Sequence, residues 1–192
     1  MLRLCLSLLC LLSLEARSLA VRAGDAPGSA AQVSGSPMRG CLPTGNGYLR
    51  ARIRGAFNLD IDWSNAEIEC EGGPRPDGSG MRVSFAGPPH GDGRRMRLVF
   101  GVGSVREGRS GHDLPTNLTV IFEGEERLFA TRGADHCTVD ELRQERVGAL
   151  GGPKRTWRII ARGFCIAPAS TLGSDARILV SRFDFAGNAV FE

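Results

Sequence analysis

The chain has 192 residues and a net charge of +3, and 42% of its residues are hydrophobic. That length suits one ordinary domain with a substantial core, and the near-neutral balance argues against a general nucleic-acid binder. Beyond the leader, no apolar stretch approaches the ~20 residues that a membrane-crossing helix needs, so the mature chain is not expected to span a membrane.

Met1-Leu-Arg3 is a short basic start, Leu4–Leu14 is an apolar run, and small residues follow at Ser18-Leu-Ala20. This is the layout of a secretory signal peptide, so residues 1–20 are expected to be removed on export. Residues 21–40 are rich in Ala, Gly, Ser and Pro without an apolar period and read as a disordered linker. The folded domain is expected over 41–192. The positive charge is almost all arginine, Lys154 being the only lysine. Such a bias fits a GC-rich bacterial genome, which makes the destination the periplasm or the exterior.

Cys5 and Cys10 fall in the leader, leaving Cys41, Cys70, Cys137 and Cys165. An even count in an exported chain favours disulfides over a metal site. The expected pairs are Cys41–Cys70 and Cys137–Cys165, because each brackets a block of expected strands.

From Cys41 onward the dominant signal is period two. Leu49, Ala51 and Ile53 alternate with Arg50, Arg52 and Arg54; Phe57, Leu59, Ile61 and Trp63 alternate with Asn58, Asp60 and Asp62. Residues two apart share one face of a strand, so these runs have an apolar inner face and a charged outer one. At Ser64-Asn65 the phase flips, so that Ala66, Ile68 and Cys70 point inward, which marks a turn. Residues 72–80 and 87–93 are Gly/Pro-rich loops on either side of an alternating Met81, Val83, Phe85. Met96, Leu98, Phe100 and Val102 make the next strand, and 103–116 reads as a polar loop. Residues 117–122 and 127–131 flank a tight turn at 123–126. Residues 156–164 and 177–185 are the last strong strands. Thr138-Val-Asp-Glu141 has the form of a helix capping box, but a strand carrying Cys137 and pairing with the Cys165 strand is the preferred reading.

Many short strands, frequent Gly and Pro and no long amphipathic helix imply an all-β fold. The first choice is an antiparallel two-layer sandwich, jelly-roll or Ig-like; a closed barrel is the second, with at most one short helix.

The sequence offers few sites. Asp60 and Asp62 share a strand face, and Glu67, Glu69 and Glu71 follow the turn. Together these would suit calcium if the two strands paired, but pairing of the aspartates with Arg50, Arg52 and Arg54 is the preferred reading. His112-Asp113 and Asp135-His136 lie in expected loops at one end of the sandwich and are the candidate ligands of a zinc-assisted hydrolase; His90 falls at the other end. Tyr48, Trp63 and Trp157 are the aromatics that a sugar-binding face would use, although both tryptophans fall on the apolar phase. Arg94, Arg95 and Arg97 would suit an anionic surface. The preferred function is therefore an exported, non-catalytic binding or structural module, without a cofactor, whose partner is an envelope polysaccharide, an envelope protein or a charged surface. A metal-assisted hydrolase is the alternative.

Overall fold

The computed structural model describes residues 40–148, 154–171 and 174–192; the expectations for 1–20 and for nearly all of 21–40 lie outside them. The strands are β1 (Tyr48–Gly55), β2 (Leu59–Ser64), β3 (Glu69–Pro74), β4 (Gly80–Ala86), β5 (Arg95–Gly103) and β6 (Gly111–Glu123), then β7 (Arg127–Ala130), β8 (Cys137–Val147), β9 (Arg155–Cys165), β10 (Ala169–Thr171) and β11 (Arg177–Phe191). There is no helix among the described residues, and every ladder is antiparallel. The all-β, antiparallel expectation is met.

The capping-box segment is strand. Val139 and Leu142 are both buried although three residues apart, because the ladder with β9 shifts register between Val139 and Glu141. The bulge at Asp140 lets both side chains face inward, and it leaves a helix-like spacing in the sequence.

The ladder runs β2-β1-β11-β10-β7-β6-β5-β4-β3, while β9 and β8 form a second link between β11 and β6. The two links lie end to end. The start of β6 pairs with β8 and its later half with β7; the start of β11 pairs with β10 and its later half with β9. The sheet curls until β3 lies beside the C-terminal half of β11 without a ladder. A Cβ at Gly72 would stand 2.5 Å from the Asn188 carbonyl oxygen, so only glycine admits this approach. The curled sheet is compatible with both the sandwich and the barrel expectation.

Cys41–Cys70 joins the approach to β1 with β3, and Cys41 Sγ lies 3.6 Å from the Ala186 carbonyl oxygen on β11. It therefore staples the seam at which the sheet meets itself. Cys137–Cys165 joins directly opposed residues at the break between the two links. Both expected pairs are present, and disulfides suit an oxidising compartment.

The interior is aromatic. Phe85 and Phe100 from β4 and β5 meet Phe183 and Phe185 from β11, with ring centroids 4.8–5.0 Å apart across the curl. All four are fully buried. Burying a phenylalanine side chain stabilises the fold by about 1.5–3 kcal/mol, so this cluster is a principal reason for the curl to close.

No helix among the described residues is long and apolar enough to cross a membrane.

Candidate functional site

The register of five neighbouring strands builds one charged outer face. Asp62 of β2 stands opposite Arg50 of β1, Arg50 opposite Asp184 of β11, Asp184 opposite Arg162 of β9, and Arg162 opposite Glu141 of β8. His112 of β6 stands opposite Glu141. Charges thus alternate in sign along a row perpendicular to the strands. Opposite charges facing across a ladder each contribute roughly 0.2–1 kcal/mol.

The arginine stripe expected on β1 meets the aspartates of β2. Arg50 Nε lies 3.0 Å from Asp62, and Asp60 serves both Arg54, at 2.8 Å, and Arg52, at 3.5 Å. The hydrogen bond from Arg54 holds the Asp60 carboxyl below the usual carboxylate range. Glu141 lies 3.0 Å from Arg162 and also receives a hydrogen bond from Arg143, which is the larger cause of its lowered pKa. Asp184 is different. It accepts the Tyr48 hydroxyl at 2.8 Å, and no arginine among the described residues forms an ion pair with it. It is the wall shared by two open depressions. One, of about 280 Å³, is lined by Arg50, Arg52, Asp60, Arg182 and Asp184. The other, of about 230 Å³, is lined by Glu141, Arg143, Ile160, Arg162 and Asp184.

The five-carboxylate cluster suited to calcium does not form. β3 pairs with β4 rather than with β2, so Glu69 and Glu71 leave the aspartates. Glu67 caps the Ser64 turn, Glu69 pairs with Arg95, and Glu71 faces Arg82 and Ser84.

The histidine pairs also stay apart. Residues 111–116, expected as loop, are the first half of β6, so His112 and Asp113 stand on a strand. Thr116 faces Cys137, which places His136 about five positions along the ladder from His112, or on the order of 17 Å. Asp135 is exposed, and no group of three His, Cys, Asp or Glu side chains among the described residues is arranged to hold a metal ion.

The aromatics divide. Trp63 packs partly buried against Gly87. Trp157, also partly buried, donates its indole N–H to Glu107 at 3.0 Å. Tyr48 belongs to the charged face, with the Arg50 guanidinium 5.0 Å from its ring centroid. Arg94, Arg95 and Arg97 are each engaged with carboxylates, among them Asp92, Glu69 and Glu123. Arg182 and Asp184, at the centre of the face, were missed by sequence reasoning. Their alternation was visible in 177–185, but only the register brings them beside Arg52 and Arg50.

A scan against protein-family models finds no match for this chain, and searches of curated proteins and of solved structures find no match either.

Proposed function

We propose that the chain is an exported, non-catalytic binding module of the cell envelope, and that the outer face of β2, β1, β11, β9 and β8 is its binding surface. In this reading residues 1–20 are the leader, 21–40 are a linker, and 41–192 carry the binding domain in the periplasm or outside the cell. The single observation that carries the reading is the row Asp62–Arg50–Asp184–Arg162–Glu141, with an open depression on either side of Asp184. A face of alternating charge on a stapled sheet recognises a partner by electrostatic complementarity, which sets specificity and register more than raw affinity. Two disulfides support a destination where thiols oxidise.

The test is co-sedimentation of the purified mature chain with isolated cell envelopes at increasing salt. Saturable binding that weakens as salt rises is expected, because exposed charges are screened. No sedimentation at low salt would refute the reading. Amino-terminal sequencing of the chain recovered from its source should begin near Val21.

A further inference from the structure

We infer that Arg52 and Arg182, with Ser181 beside them, form a binding site for the oxyanion groups of an acidic polysaccharide. The inference rests on the binding-module reading and names its ligand class.

Arg52 and Arg182 face each other directly across the β1–β11 ladder. Like charges in that position destabilise a sheet. The nearby carboxylate, Asp60, is shared between Arg52 and Arg54. No carboxylate among the described residues pairs with Arg182. The register adds a second observation. Arg52 pairs with Arg182 but Ile53 pairs with Val180, so Ser181 is an extra residue in β11. Ser181 and Arg182 are consecutive and both exposed. A bulge of this kind re-aims side chains, and here it sets a hydroxyl and a guanidinium on one face. The depression of about 280 Å³ lies over this pair.

A repelling pair of guanidinium groups in a concavity is relieved by an anion between them. Each guanidinium presents paired N–H donors that match a carboxylate or sulfate. The second depression, across Asp184, also carries two guanidinium groups, Arg143 and Arg162, which there share the Glu141 carboxylate. From the ~4.8 Å strand spacing the two centres lie on the order of 10–15 Å apart. Two open sites at that spacing suit a flexible chain that repeats its anions, since linked weak contacts add by effective concentration. The ridges Asp60, Asp62, Asp184 and Glu141 repel a continuous anionic plane such as a lipid leaflet, whereas a single polymer strand passes between them. Phe164, next to Gly163 at the end of the β9–β11 ladder, is an exposed ring near this end of the face that is available to a sugar.

The test uses the mature chain with oligogalacturonate, its neutral methyl ester, dextran sulfate, and phosphatidylglycerol vesicles, alongside the envelope co-sedimentation. Binding to an acidic oligosaccharide and not to the methyl ester is expected, and the tighter of the two acidic probes tells carboxylate from sulfate. Arg182→Ser should weaken binding about tenfold, the cost of one charge-assisted hydrogen bond, and Arg52→Ser with Arg182→Ser should abolish it. The melting temperature of Arg182→Ser should stay level or rise, which separates a ligand role from a structural one. Unchanged binding by Arg182→Ser, equal binding of the methyl ester, or binding to vesicles without the oligosaccharides would overturn the inference. If the acidic probes fail while envelope co-sedimentation persists, only this inference falls. If both fail, the module reading falls with it.

Discussion

Tyr48 donates its hydroxyl hydrogen to Asp184 at 2.8 Å, a diagonal contact that ties the start of β1 to the centre of the charged face. Burial first, and then this hydrogen bond, push the phenol above the ordinary tyrosine range. Tyr48 is the only tyrosine, so an ultraviolet pH titration reads it alone. A raised folded-state pKa means that the contribution is present at neutral pH and lost as the pH rises through that pKa. The tyrosinate should form above the free-tyrosine midpoint, and Asp184→Asn should move it back down. A midpoint that Asp184→Asn leaves unchanged would contradict the contact.

The disulfides should matter in proportion to the loops they close. Their sequence separations are 29 and 28, so loop entropy gives each about 3–4 kcal/mol. Replacing either pair by alanine should lower the stability from denaturant unfolding by about that amount. Losing Cys41–Cys70 also frees the seam between β3 and β11, so the amides of β3 should exchange faster in that variant than in the one lacking Cys137–Cys165. Equal exchange at β3 in the two variants would remove the seam assignment.

Gly163 should be among the least replaceable of the strand glycines. A Cβ there would stand 2.0 Å from the Thr138 carbonyl oxygen, which is backbone, and 2.8 Å from the Phe183 ring. Gly163→Ala should cost about 3 kcal/mol or more. Gly78 has open space around it and a φ of +69°, so Gly78→Ala should cost only about 1 kcal/mol, for the left-handed backbone. Chemical denaturation of the two variants checks the order.

These glycines also explain what the sequence did and did not reveal. β1 was legible because Leu49, Ala51 and Ile53 are all buried and the arginines between them are not. Residues 72–74 were expected as loop, yet they are strand, because Gly72 and Gly73 serve a close approach to β11 rather than a turn. The first half of β6 was hidden by Pro115 and by Asp113, whose φ of 51° breaks the regular backbone. β10 has three residues, too few to show a period. β11 continues past Phe185 through Ala186, Gly187 and Ala189, small residues buried beneath other strands that carry little hydrophobic signal. The stripe on β1 and its partners on β2 were readable from alternation. The row across β11, β9 and β8 was not, since register is a property of the folded sheet.

Glu107 should act as an acid-sensitive latch on the segment between β5 and β6. It accepts hydrogen bonds from Arg155 at 2.6 and 3.0 Å and from the Trp157 indole at 3.0 Å, and Arg155 is the main cause of its lowered pKa. A lowered pKa gives stability that is present above the unfolded value near 4.3 and lost as the pH falls through the folded value. In a Trp63→Phe background, Trp157 fluorescence should change on the acid side of that value. Glu107→Gln should flatten the change. An identical acid transition in the glutamine variant would show that the latch is not Glu107.

Arginine footprinting with a dicarbonyl reagent, on the mature chain free and bound to cell envelopes, tests the assignment of the binding face most directly. Arg52 and Arg162, with side chains 62% and 67% exposed, should lose reactivity on binding together with Arg182. Arg94 and Arg127, 51% and 46% exposed and outside that face, should keep theirs. Protection of Arg94 and Arg127 while Arg52 and Arg182 stay reactive would contradict it.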